Sequence, residues 1–276
     1  MNLLYKTIGI SKQSVHQYYK RQTVFDEKVN GLIIEADELR AEHPGCGVEK
    51  MYYTLKPDFI GRDRFIELFM QMGYRVKRNR NYRRTTYASK FYYPNLIKGM
   101  VVRSPSVIWQ SDITYILVGG RFYYTVFIID VYTKKIVGYQ VSDHMRATAN
   151  LKALNMALKE HPPPEIHHSD RGSQYTNGKY IELLKGNNCS ISMGLSAQDN
   201  AYAERINLTI KDEYLDHWKP KSFTQLKDQV KRAVNNYNLK RIHNEINRST
   251  PKDFEYQCIN TNIKHKLKLT IFNNES

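Results

Sequence analysis

Three carboxylates stand where the ordinary uses of an acidic side chain are hardest to satisfy. Asp112 lies in the middle of the β-prone run VIWQSDITYILV (107–118), where aspartate is a poor strand former and costs desolvation free energy once buried. Asp170 follows the short apolar run of EIHHSDRGSQY (165–175) and precedes Arg171-Gly172, at a strand mouth of the kind where open α/β sheets place ligands. Glu204 sits in QDNAYAERINLTIKDE (198–213), in the first turns of a helix, after the candidate cap Asp199. Carboxylates brought by two strand ends and a helix can converge on one point, and an oxygen-only donor set suits Mg²⁺ or Mn²⁺. Two such ions about 4 Å apart activate the attacking oxygen and stabilise the leaving one in phosphodiester transfer. Each acid taken singly also has a structural use: a hydrogen bond from Ser111 or Thr114 for Asp112, a turn cap for Asp170, plain solvation for Glu204.

The histidines beside Asp170 invite two other chemistries, and neither fits. His167 and His168 alternate on a strand, so only one of them faces the site. Zinc would require more imidazole or thiolate ligands than that, and Cys189 alone does not supply them. Ser169 lacks the GxSxG elbow of a hydrolase nucleophile. Gln174 and Tyr175, just past the turn, are placed either to contact substrate or to cap the next helix.

Elements able to position three such acids are legible in the hydrophobic pattern. After residue 107 the runs VIWQSDITYILV, RFYYTVFIIDVYT and KKIVGYQVS read as a three-stranded antiparallel meander turning at Gly119-Gly120. A helix over 147–161, a short strand at PPPEIHHSD, a helix at NGKYIELLKGNN, a strand at CSISMG and helices over 199–214 and 222–238 follow. This order describes a mixed α/β layer whose sheet is covered by helices on both faces.

Residues 1–84 read as a smaller helical region. The segment 8–20, with Ser11 as cap, has the look of the second helix of a helix-turn-helix, followed by helices over 24–42, 48–57 and 61–76. In the last of these Phe65, Ile66, Phe69, Met70 and Met72 form a core stripe that Gly73 closes. The run RVKRNRNYRR (75–84) places Arg75, Lys77, Arg78, Arg80, Arg83 and Arg84 around one tyrosine, a density that suits a phosphate track. Residues 85–106 read as a linker, 107–255 as the catalytic core and 256–276, with its KHKLK patch, as a basic tail.

Composition narrows the partners. Of the 276 residues, 42 are Lys or Arg and 27 are Asp or Glu, and the formal net charge of +15 favours a polyanion, nucleic acid above all. The three cysteines are far apart and odd in number, which supports neither a disulfide framework nor a structural zinc site and points to a reducing compartment. With no apolar run long enough to span a bilayer and no signal-peptide pattern at the N-terminus, the expectation is a cytoplasmic protein with no membrane partner.

Four stretches in order, WQSDITYI (109–116), HHSDRGSQY (167–175), DNAYAERINLTIKDE (199–213) and YNLKRIHNEINRSTP (237–251), resemble the second-frame (OrfB-type) transposase of the IS-three family of bacterial insertion sequences, whose catalytic core is related to retroviral integrases. The likeness runs from about residue 8 to 255. It implies a ribonuclease H-like fold, with a mixed five-stranded sheet flanked by helices and a smaller N-terminal helical region. It also implies a DDE-type catalytic and metal-binding trio of Asp112, Asp170 and Glu204, two divalent cations, and cleavage of element-end DNA followed by strand transfer.

The family pattern places a basic residue about two turns beyond the glutamate, here Lys211, which together with Arg205 and the 75–84 run would hold phosphates. His168 would support the site, and Tyr237, Asn238, Arg241 and His243 match a recurring YNxxRxH that packs or assists assembly. Double-stranded DNA, both element ends and target, is the implied partner, with a homo-oligomer assembled on it. Two departures stand out. The 33 residues from 171 to 203 are slightly fewer than the family's usual spacing. The heptad-bearing upstream-frame segment to which this part is commonly fused is not evident in the chain, so it is expected as a separate partner. Two rival readings keep the same residues: a ribonuclease H-like structure-specific nuclease, and a catalytically silent DNA-binding transposase fragment.

Overall fold

The computed structural model describes residue 9 and residues 11–76, 92–195, 197–260 and 267–271. The chain divides into two compact units, Met1–Lys77 and Arg78–Ser276.

The first unit is built from helices α1 (Lys12–Glu42), α2 (Val48–Leu55) and α3 (Arg62–Gln71). The Ser11 side chain accepts the Ser14 N–H at 3.0 Å, as its position in the sequence predicts. The expected break between helices 8–20 and 24–42 does not occur. No glycine or proline stands between residues 20 and 24, and the Thr23 hydroxyl bonds back to the Tyr19 carbonyl at 3.0 Å, so one helix runs through. The segment expected as a separate helix over 8–20 is, from Lys12 on, the first part of this 31-residue helix. Burial on α1 starts only at Val29, and Leu32 and Ala36 meet Met51, Phe65 and Phe69 in the unit's core. Phe65 and Phe69 stack with ring centroids 4.2 Å apart. Met70 and Met72, read from sequence as part of the same stripe, are each 42% exposed: Met70 stands about 100° round α3 from the buried Phe69, and Met72 lies past the helix end at Gln71.

The second unit carries a five-stranded sheet in the order β4-β3-β2-β5-β6, from β2 (Ile108–Val118), β3 (Arg121–Asp130), β4 (Ile136–Ser142), β5 (Ile166–Ser169) and β6 (Ser190–Met193). β2, β3 and β4 form the antiparallel meander expected from their alternation, and β5 and β6 lie parallel to β2. On one face α4 (Ala147–Glu160) and α5 (Gly178–Gly186) pack on Trp109, Val126 and Ile128. On the other, α6 (Ala201–Ile210) and α7 (Phe223–Leu239) cover Ile116, Val118, Phe127 and Ile129. Because side chains alternate along β2, Gln110, Asp112 and Thr114 belong to the α6 side.

Residues 92–106, read from sequence as part of a linker, pack onto this unit. The Leu96 N–H donates to Ser192 Oγ at 2.8 Å, Ile97 is buried, and Val101–Val102 (β1) pair with Leu269–Thr270 (β7) in a small antiparallel sheet. The expected basic tail likewise contributes structure: residues 256–260 finish α8 (Pro251–Asn260) and β7 lies beyond it. Cys46, Cys189 and Cys258 are buried free thiols. Among the described residues no helix is long and apolar enough to cross a membrane.

Candidate active site

Asp112 stands on β2 opposite Phe127 of β3. On its other side β5 runs parallel, with Ser111 beside Ser169, so Asp170 follows one residue past the last paired position of a neighbouring strand. Adjacent strands lie about 4.8 Å apart, which brings the two aspartates side by side at one edge of the sheet. Glu204 enters on the first turn of α6, which packs over β2 and β3.

Two buried amides fasten that helix to the strand that carries Asp112. Gln110 Oε1 accepts the N–H groups of Tyr202 and Ala203 at 3.1 and 3.3 Å, satisfying two of the donors that a helix start leaves open, and its Nε2 donates to the Asp199 carbonyl at 3.4 Å. Asn200 Nδ2 donates to the Ser111 carbonyl at 2.9 Å. Glu204 is therefore set by the neighbours of Asp112. The Ser111 hydroxyl is engaged with the Tyr175 hydroxyl at 2.9 Å, so the partner of Asp112 is neither Ser111 nor Thr114: Asn207 Nδ2 donates to Asp112 Oδ2 at 2.8 Å. Asn207 follows Glu204 by three residues and shares its helix face. Its Oδ1 is buried without a hydrogen-bond partner.

The charges of the trio act on one another. Burial, then the nearby charge of Asp170 and that of Glu204, push the Asp112 carboxyl up to about 7, against the Ile113 N–H and the Asn207 amide, which favour its charged form. Asp170 is raised by burial and eased by the Gly172 N–H, which donates to its Oδ1 at 3.0 Å. Glu204 is raised by burial and by Asp170. A Cβ at residue 172 would stand 2.9 Å from Asp170 Oδ1 and 3.0 Å from Gln174 Oε1, so only glycine leaves this carboxylate its place. Gln174 Nε2 donates to the Met145 carbonyl at 3.0 Å and thereby ties the turn to the segment before α4.

The donor chemistry fits a hard divalent cation. All the groups are oxygens, the charge of Asp170 raises the carboxyls of Asp112 and Glu204, and an orphaned amide oxygen lies beside Asp112. Among the described residues no group of three or more His, Cys, Asp or Glu side chains is placed to hold a metal ion.

The other residues singled out in the sequence divide into near and far. Lys211 ends α6 with its Nζ 4.8 Å from the Tyr115 ring centroid on β2; burial lowers its pKa, while Asp216, Asp112 and Asp212 favour its charge. His168 touches none of the acids. Its Nδ1 stands 2.8 Å from Ser192 Oγ, and its Nε2 lies close under Gly194, where a Cβ would come within 3.1 Å of it and 2.6 Å of Asp199 Cβ. It supports the loop leading to Glu204. His167 faces α5, with Nε2 3.0 Å from the Tyr180 hydroxyl.

Arg205 is exposed, and the buried group on which its charge acts is Tyr237. Asn238 exchanges two 2.9 Å hydrogen bonds with the backbone of Ile136, and Arg241 pairs with Glu213, so both act in packing. Tyr237 and His243 stack edge to face at 4.8 Å. Arg75 is exposed in the first unit, whereas Lys77, Arg78, Arg80, Arg83 and Arg84 lie outside the described residues. Sequence reasoning missed Gln110, Asn200 and Asn207. Asn207 had a signal, a polar residue among apolar neighbours one turn past Glu204; Gln110 showed only as an amide inside an apolar strand.

Residues 102–197 match the integrase core domain family, and residues 185–251 match a second family of the same description. The chain is 33% identical over 203 residues to an uncharacterized 31 kDa protein of insertion element IS600 from Shigella sonnei, covering 71% of this chain and 75% of that protein. It is 33% identical over 168 residues to the transposase for insertion sequence element IS904 of Lactococcus lactis, covering 59% of this chain and 66% of that one. Among solved structures, a cryo-electron microscopy structure of the simian T-cell lymphotropic virus intasome in complex with PP2A regulatory subunit B56 gamma contains a similar chain. The TM-score is 0.50 at 14% identity, with 80% of this chain and 74% of that chain covered, a likeness of fold alone.

Proposed function

The chain belongs to the integrase core domain family, and we propose that it is a DNA transposase whose DDE chemistry is carried by Asp112, Asp170 and Glu204. The observation that carries this reading is the placement of the three acids on two adjacent parallel strands and the helix fastened to them, where the charge of Asp170 acts on both Asp112 and Glu204. The three would hold two divalent cations, Mg²⁺ or Mn²⁺, and ions so held supply activation of the attacking oxygen and neutralisation of the leaving one. Asn207 orients Asp112 and favours its charged form. Gln110 and Asn200 keep Glu204 at its distance from β2. Lys211 offers a cation to a phosphate oxygen at the acid edge. Hydrolysis of an element-end phosphodiester releases a 3′-hydroxyl, and that hydroxyl then attacks a target phosphodiester in line, so that one P–O bond breaks as another forms.

The finer assignment is to the second-frame, OrfB-type group of the IS-three family, acting with an upstream-frame segment and as a homo-oligomer on two element ends. The order of the four motifs supports it. Residues of the first unit and the 75–84 run would follow the DNA backbone. The test is Mn²⁺-dependent cleavage and joining of DNA that carries the element's ends. Joined products support transposition; nicks without joined products would support a structure-specific nuclease, and DNA binding without either would support a silent fragment.

A further inference from the structure

The helix that carries Glu204 does not end where its α-helical part does. It continues as a π-helical turn over Lys211–Leu215 and a last turn, Asp216–Trp218. A π turn has poorer intrinsic stability than an α turn, is rare, and is found mostly at functional sites, so something in the surroundings must hold it. Its widened spacing lets a residue five positions on approach the first, and the carboxylate acting most strongly on Lys211 is Asp216.

The holding contact is visible. Glu213, in the middle of the π turn, receives both arms of Arg241, Nε to Oε2 and Nη2 to Oε1, each at 2.6 Å. Both side chains are largely shielded, at 9% and 17% exposure, so the pair is a planar two-point clamp and not a solvated surface contact. Arg241 is fixed from behind by His243, whose Nε2 stands 3.0 Å from Nη1, and by the Tyr237 ring, 5.5 Å from the guanidinium carbon.

Resting on the reading of Lys211 as a phosphate contact, we propose that Arg241 and Glu213 are positioning residues: their clamp locks the π turn and so holds Lys211 against Tyr115 of β2, at the acid edge. The YNxxRxH stretch then has a division of labour, with Asn238 fastening α7 to the start of β4 and Arg241 fastening it to the turn that starts at Lys211.

The test is a double-mutant cycle on the full chain with Lys211→Ala, Glu213→Gln and their combination. Two readouts are taken: the salt dependence of binding to a short random-sequence duplex in EDTA, and Mn²⁺-dependent nicking of supercoiled plasmid DNA. Lys211→Ala should lower the slope of log affinity against log salt by about one, and Glu213→Gln by most of that amount. The double variant should match Lys211→Ala, with a nicking loss of about tenfold that is shared and not multiplied. Losses that multiply overturn the positioning role while leaving the Lys211 reading intact. An unchanged slope in Lys211→Ala overturns that reading and the inference with it. Since Glu213→Gln strips Arg241 of its countercharge, Glu213→Leu combined with Arg241→Met deletes the clamp while keeping the packing. A full parental slope in that variant also overturns the proposal.

Discussion

Burial acts in opposite directions on the two kinds of titratable side chain at this end of the sheet. It raises the carboxyls of Asp112, Asp170 and Glu204, and it lowers His167 to about 3 and His168 to about 4. His167 is fully enclosed beside Tyr180, so the folded state refuses a proton that the unfolded state accepts below its ordinary value. The folded protein must therefore lose stability as pH falls through that ordinary range, progressively until His167 itself titrates. Replacing it with the similarly sized apolar ring, His167→Phe, should remove about 1.4 kcal/mol per pH unit of this loss, or about 2 kcal/mol at pH 5, after correction for the Tyr180 hydrogen bond at pH 7. Denaturant unfolding at both pH values measures it; parallel profiles for parent and variant would refute the buried neutral imidazole. At the acids the expectation is different in kind. Mn²⁺ should raise the melting temperature of the parent and raise it less in Asp112→Asn, and equal rises would remove Asp112 from the ion's ligands. Residue type singled out Asp112, because an aspartate inside an apolar strand requires an explanation, whereas Asp170 and Glu204 were joined to it by the order of elements and by the motif resemblance. Asn207 gave a weaker signal, a polar residue among apolar neighbours, since an asparagine on a helix reads equally well as solvated.

At the scale of elements, the alternating and helical periods located all five strands of the main sheet and the helices that cover it, within a few residues. They failed where the deciding contact is remote. Gln110 stops the start of α6 from across 92 residues of chain, and no local pattern encodes that pairing. The continuity of α1 across residues 21–23 was missed for the opposite reason: the polar stretch looked like a break, yet it contains no residue that breaks a helix. Gln110→Ala should leave the Tyr202 and Ala203 N–H groups unpaired in a buried site and cost about 2 kcal/mol of unfolding free energy. If the contact also sets Glu204, nicking measured well below the variant's melting temperature should fall by more than the change in folded fraction explains. A variant with parental stability would show that the cap is replaced by solvent.

For the whole molecule, the net charge of +15 sets the terms of association. Contacts to the DNA backbone release counterions, so affinity for a random duplex should fall about a thousandfold or more between roughly 50 and 200 mM salt. Replacing the basic residues among 75–84 with glutamine should flatten that dependence; an unchanged slope would place the phosphate track elsewhere. The chain divides into a helical unit, Met1–Lys77, and a sheet-bearing unit that carries Asp112, Asp170 and Glu204. The change of period near residue 107 marked where the main sheet begins, whereas the folding of residues 92–106 onto it was not legible, because prolines and short extended pieces carry no periodic signal.

Whether Asp112, Asp170 and Glu204 perform DNA cleavage and joining is decided on one substrate. The parent chain and Asp170→Asn are compared for Mn²⁺-dependent release and joining of labelled DNA carrying the element's own ends. The parent should give joined products, and Asp170→Asn should lose them by at least about a thousandfold while binding duplex unchanged. Joined products from Asp170→Asn at the parental rate would contradict that role for the acids.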